Sequence, residues 1–216
     1  MRQLFRQLIL IIAAVYSGFV LAQGAPELPV KSYILTDAAS GQILLSKNPN
    51  EKLPPASITK LMTAYLVVEA LENGKLTPDT PITVSQNAYK QEGSRMFIEV
   101  NKQVLVQDLL QGLIIQSGND AAVALAEYLG GSMDGFTEMM NRKAAQLGMK
   151  DTHYTNPTGL PDPKNYTTAE DIAILSRHII NDRSTTISTD KKTTPITKSS
   201  RTTVTVCCGV TPVLMV

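Results

Sequence analysis

The sequence predicts an α+β fold. A single β-hairpin pattern comes first, five helical patterns follow, and no strand–helix–strand alternation runs through the chain. The 216 residues suit one domain, or one and a fraction, and a hydrophobic content of 43% supplies enough apolar side chains for a packed core. A net charge of +1 leaves no electrostatic footprint for nucleic acid. The two cysteines, adjacent as Cys207-Cys208, give neither a disulfide framework nor metal-ligand spacing.

Residues 1–22 precede the fold. Arg2 and Arg6 form a basic start, Leu8 to Val20 an apolar run and Val20-Leu21-Ala22 a small-residue cleavage site, the pattern of a secretory signal peptide. The run is short for a membrane span. No cysteine follows it, which argues against lipoprotein processing. The expected location is outside the cytoplasm, in a periplasm or at the outer face of the cytoplasmic membrane.

Ser32 to Asp37 and Gln42 to Ser46 read as strands around the turn Ala39-Ser40-Gly41. Lys47 to Pro55 is a polar loop. Ile58 to Asn73 is helical, with Ile58, Leu61, Met62, Tyr65 and Val68 at helical spacing. Leu66 and Val67 put apolar residues on its other faces, so this helix is expected to be buried all round. A second helix runs from Asp108 to Gln116, is interrupted by Ser117-Gly118-Asn119-Asp120, and a third resumes from Ala121 to Leu129. Phe136 to Leu147 is a fourth, ended by Gly148. Thr168 to Ile180 is a fifth, with Thr167 or Thr168 as N-cap and Glu170-Asp171 in the first turn.

Two short motifs stand out as chemistry. In Ser57-Ile58-Thr59-Lys60 a lysine occupies the start of an apolar helix, where the macrodipole disfavours a cation and a capping box would place Glu or Gln. From Leu61 to Leu71 the only charge is Glu69, so Lys60 is expected to be partly desolvated. Burial lowers a lysine pKa and makes it a proton acceptor, and Ser57 one turn away is a candidate nucleophile. The bland alternative is that Ser57 is an N-cap. In Ser117-Gly118-Asn119 the alternative is that Gly118 ends one helix while Asn119 or Asp120 caps the next. His153 and His178 read as structural.

In this order, after a signal pattern and a hairpin, the motifs resemble the low-molecular-mass penicillin-binding, serine-type D-alanyl-D-alanine carboxypeptidases, the peptidase S11 type. The resemblance also runs through Ser32-Tyr33-Ile34-Leu35-Thr36-Asp37, Pro55-Ala56-Ser57-Ile58-Thr59-Lys60-Leu61-Met62-Thr63, Gln116-Ser117-Gly118-Asn119-Asp120-Ala121, Leu147-Gly148-Met149-Lys150-Asp151-Thr152-His153-Tyr154 and Thr158-Gly159-Leu160. It spans Pro29 to Asp182. It implies a β-lactamase/transpeptidase-like fold, a helical cluster packed on an antiparallel sheet. It also implies a reaction without cofactor or metal. Ser57 would be the acyl-ester nucleophile and Lys60 the general base. Ser117 would relay a proton, and Asn119 would hold the substrate and orient Lys60. The implied partners are peptidoglycan stem peptides ending in D-Ala-D-Ala and acylating β-lactam antibiotics. Membrane contact belongs to the full-length family only. A class A-like β-lactamase and a non-catalytic binder of cell-wall peptides are the alternatives. Ser117-Gly118-Asn119 in place of Ser-Asp-Asn, and the Thr158-Gly159-Leu160 segment, argue against the β-lactamase.

The family's third motif, Lys-Thr-Gly on a core strand, is absent. Lys192-Thr193-Thr194 lacks the glycine that lets a substrate backbone approach. Composition also changes at Arg183: residues 183–216 hold ten Thr and four Ser in 34 positions, against twelve Thr in residues 1–182. We read residues 23–182 as a partial catalytic domain and 183–216 as an out-of-frame tail, not natively folded. Read one base late, Thr194 to Val216 are compatible with the codons of YTYNQIKQNNRNRLLWRYPGVDG, a string like the family segment leading into the Lys-Thr-Gly strand. Without that strand the hairpin is expected to expose an unpaired edge, and the chain to have little activity.

Overall fold

The computed structural model describes residues 28–181, together with the backbone of Val204–Cys208 and Thr211–Met215. The signal pattern and Lys192-Thr193-Thr194 lie outside the described residues.

Strand β1 (Tyr33–Thr36) pairs antiparallel with β2 (Ile43–Lys47), Tyr33 opposite Lys47 and Thr36 opposite Ile43. The Asp37 carboxylate closes the turn between them, accepting hydrogen bonds from the N–H and the hydroxyl of Ser40 at 2.7 Å each. A 3₁₀ turn over Ala56–Ile58 then leads into helix α1 (Thr59–Glu72). This helix is buried all round, as its apolar residues on several faces predict, with Met62 and Val67 fully enclosed. Each such side chain contributes about 1.5–3 kcal/mol relative to exposure.

Strands β3 (Pro81–Thr83) and β4 (Gln103–Leu105) form a separate antiparallel pair, with the single-turn helix α2 (Gln86–Tyr89) between them in sequence. Four longer helices follow: α3 (Val106–Ile115), α4 (Asn119–Gly130), α5 (Met133–Leu147) and α6 (Ala169–Asn181). Helix α5 begins three residues before Phe136, because the Ser132 hydroxyl caps it by accepting from the Gly135 N–H at 3.0 Å. At α6 the capping residue is Thr168, whose Oγ1 accepts from the Asp171 N–H at 3.1 Å.

Three apolar clusters hold these elements, and α1 or its lead-in turn enters each. Val67 and Val68 pack with Leu109 and Leu113 of α3 and with Val123 and Leu125 of α4. Met62, Tyr65 and Leu66 pack with Phe136, Met140, Tyr154 and Leu175. Ile58 and Leu61 meet Ile34 of β1 and Ile172 of α6. The result is a helical cluster against the sheet, the α+β arrangement expected.

The tail departs from expectation. Strands β5 (Val204–Cys208) and β6 (Thr211–Met215) form an antiparallel hairpin, and β6 runs parallel to β1, with Leu35 beside Leu214 and Thr36 beside Met215. The sheet order is β2-β1-β6-β5. One expectation is corrected. The described part of residues 183–216 carries two strands, the first beginning Val204-Thr205-Val206, residue types that favour a pleated backbone. The second pairs with β1 along Leu35 and Thr36, so β1 is not left open. The two edges of the sheet are β2 and β5, and on β2 Ile43 and Leu44 are each 49% exposed.

Candidate active site

Ser57 sits in the 3₁₀ turn and is exposed, whereas Lys60, in the first turn of α1, is only 6% exposed. Lys60 Nζ lies 3.2 Å from Ser57 Oγ and donates to the Thr158 carbonyl oxygen at 2.7 Å. Burial pushes the Lys60 pKa down to about 8, and α1 has no acidic residue in its first turn to offset this. The lysine is therefore partly neutral near physiological pH; as the ammonium it donates to the Ser57 hydroxyl, and as the amine it can accept that hydroxyl's proton. Ser57 does not act as a helix cap: Ile58 is the residue before α1, and no side-chain cap bond forms there.

The loop over residues 155–160 closes on this pair. Thr63 Oγ1 donates to the Pro157 carbonyl at 2.8 Å. Gly159 has φ +80, and a Cβ built there would lie 1.7 Å from the Ala56 carbonyl oxygen. Only glycine lets the two backbones meet so closely. Ala56 itself has φ +44, a left-handed conformation for a residue with a Cβ, directly before Ser57. Strain of this kind, about 1–3 kcal/mol, collects at functional sites.

The second motif lies where α3 gives way to α4. Ser117 is half-buried with φ +55, a left-handed conformation like that of Ala56 beside the first motif. Asn119 is buried as the first residue of α4; its N–H donates to the Ser94 carbonyl at 2.7 Å and its Nδ2 to the Glu92 carbonyl at 2.6 Å. Asp120, 1% exposed, accepts from the N–H groups of Met96, Phe97, Ile98 and Ala121 at 2.9–3.3 Å. Helix α4 packs on α1 through the apolar cluster they share. The structure thus joins Ser57 to Lys60 by a hydrogen bond. Among the described residues no hydrogen bond joins Lys60 to Ser117 or Asn119, and it is the Thr158 carbonyl that holds the ammonium.

A side-chain motif search misses that contact, because the acceptor is backbone; the visible signal is Gly159 beside it. His153 is hydrogen-bonded through Nδ1 to the Lys164 carbonyl at 2.8 Å and stacks on Tyr166, while His178 is exposed on α6. Among the described residues no His, Cys, Asp and Glu group could hold a metal ion. No helix among them is long and apolar enough to cross a membrane.

Comparison with known proteins places these features in a family context. Residues 20–207 match the family model described as D-alanyl-D-alanine carboxypeptidase. The chain is 44% identical over 160 residues to the D-alanyl-D-alanine carboxypeptidase DacA of Haemophilus influenzae, covering 73% of this chain and 41% of that relative. Among solved structures it resembles the D-alanyl-D-alanine carboxypeptidase DacD from Francisella tularensis, with a TM-score of 0.73 at 41% identity over 75% of this chain and 39% of that one. It also resembles penicillin binding protein 5 from Haemophilus influenzae, with a TM-score of 0.71 at 43% identity over 73% of this chain and 47% of that one. The chain thus spans less than half the length of each of these relatives.

Proposed function

Because this chain belongs to the D-alanyl-D-alanine carboxypeptidase family, we propose that its site is built to remove the terminal D-alanine from peptidoglycan stem peptides. The observation that carries this is a buried lysine with a pKa of about 8, 3.2 Å from an exposed serine hydroxyl. Ser57 Oγ attacks the carbonyl between the two D-alanines while Lys60 takes its proton. The backbone N–H of Ser57 serves as one oxyanion donor, a kind of contact worth roughly 10²–10³ in rate. The C–N bond breaks, and Ser117 passes its proton to the leaving amine while regaining one from the Lys60 ammonium, which returns Lys60 to its neutral form. Asn119 holds the substrate amide. Water then attacks the acyl ester, releasing the shortened peptide and restoring Ser57. A β-lactam carries an equivalent strained amide and acylates Ser57 in the same way. The signal pattern supports an exported protein acting on the cell wall.

We read residues 183–216 as out of frame, which removes the Lys-Thr-Gly lysine expected to bind the substrate's terminal carboxylate. The expected outcome is little D-alanine release from a D-Ala-D-Ala peptide by this chain, and release restored when the gene is read in its alternative frame after codon 182. The Ser57→Ala change abolishes whatever release remains. Full release by the present chain would refute the tail reading. Rapid penicillin turnover with no D-alanine release from the alternative-frame protein would refute the carboxypeptidase and leave a β-lactamase.

A further inference from the structure

The loop that holds Lys60 is itself organised by one side chain. Asn156 Oδ1 accepts from the Thr158 N–H at 3.1 Å, the Thr158 hydroxyl at 2.9 Å and the Gly159 N–H at 2.7 Å. Its Nδ2 donates to the Leu160 carbonyl at 3.1 Å and to Thr155 Oγ1 at 3.3 Å. The Thr158 hydroxyl accepts in turn from the Leu160 N–H at 3.2 Å. Every turn of the loop between Thr155 and Leu160 is therefore tied to the Asn156 amide. Two carbonyls of this loop face α1: that of Pro157 takes the Thr63 hydroxyl at 2.8 Å, and that of Thr158 takes the Lys60 ammonium at 2.7 Å.

We infer that Asn156 is a positioning residue for the Ser57–Lys60 pair: it fixes the Thr158 carbonyl, and that carbonyl sets where Lys60 Nζ points. The inference rests on reading Ser57 and Lys60 as nucleophile and base. Three observations carry it. The Asn156 side-chain oxygen gathers two backbone N–H groups and the Thr158 hydroxyl at once, so the backbone on both sides of the Thr158 carbonyl is tied to one atom. A lysine has four rotatable bonds and no preferred direction of its own, so a second acceptor on Nζ besides Ser57 Oγ is what holds its reach. And Gly159, the residue after the acceptor, is wedged on Ala56, so the loop and the turn bearing Ser57 move as one body. A misplacement of about 1 Å between reacting groups costs on the order of 10²-fold in rate. The same loop covers the ammonium, so releasing it admits water to Lys60.

The test compares the full chain with Asn156→Ala and with Asn156→Asp, which keeps an acceptor oxygen for the three donors. Two measurements need no peptide recognition. One is the pH dependence of Ser57 phosphonylation by a small fluorophosphonate, in which Ser57 Oγ bonds to phosphorus, fluoride leaves and Lys60 takes the proton. The other is the Lys60 titration, followed by NMR of lysine labelled with ¹³C at Cε. In the parent chain the rate and the Lys60 resonance should share a midpoint near 8. Asn156→Ala is expected to lower the high-pH rate by about tenfold to a hundredfold and to move the Lys60 midpoint up towards the ordinary lysine value. Asn156→Asp is expected to keep most of the rate. If Asn156→Ala loses thermal stability but keeps the parent rate and midpoint, Asn156 is only a folding residue and the inference fails. It also fails if the alanine and aspartate variants lose the rate equally while both remain folded, or if Ser57 of the parent chain does not react. Phosphonylation that behaves as expected, in an alternative-frame protein that releases no D-alanine, would overturn the carboxypeptidase reading alone.

Discussion

Lys60 stands where a helix tolerates a cation least, and its buried position drives its pKa to about 8. In the unfolded chain a lysine keeps a value of about 10.4. Between those limits the unfolded chain holds a proton that the folded one has released, so stability rises with pH through this window. Below pH 8 the folded chain bears the full cost of a buried charge. Lys60→Met should therefore raise the melting temperature at pH 7, by a gain of up to about 3 kcal/mol, and the gain should shrink as the pH approaches 10. A melting temperature that falls at pH 7 would show that Lys60 is held by more than the contacts described. Gly159 supplies a complementary test. Gly159→Ala puts a Cβ against the Ala56 carbonyl at φ +80, and urea denaturation should show a loss of about 1–3 kcal/mol. An unchanged midpoint would mean the loop and the Ser57 turn are not locked together.

At the scale of elements, the long helices were legible and the short pieces were not. Helix α1 announces itself through apolar residues at helical spacing, and its burial on all faces follows from Leu66 and Val67. Strands β3 and β4 have three residues each and are separated by nineteen others, too short for an alternating pattern and too distant for a hairpin signal. The Ser117-Gly118-Asn119-Asp120 break was visible, but not where its side chains go. Asp120 looks like a helix cap in sequence. In the fold it fastens the first turn of α4 to residues 96–98, which depends on a contact across more than twenty residues. Asp120→Ala would strip the acceptor from these N–H groups, each worth about 1–3 kcal/mol when left unpaired in the interior. A loss of about 3 kcal/mol or more is expected in denaturant titration. A loss under 1 kcal/mol would mean that water or another acceptor replaces the carboxylate.

For the molecule as a whole, the clearest unprotected feature is the edge strand β2. Ile43 and Leu44 are half-exposed there, and among the described residues β2 has a strand on one side only, the kind of edge through which sheets join. Ile43→Lys should reduce light scattering at high protein concentration while shifting stability by no more than about 0.5 kcal/mol. Undiminished scattering would place the association elsewhere. The interior has the opposite character. Helix α1 and its lead-in turn enter all three apolar clusters, so no cluster can come apart without disturbing them. In hydrogen exchange, amides in the middle of α1 should therefore trade their protons only when the entire chain opens. Such behaviour would tie the alignment of Ser57 and Lys60 to global unfolding, so that local fluctuations elsewhere leave the pair in register until the fold itself is lost.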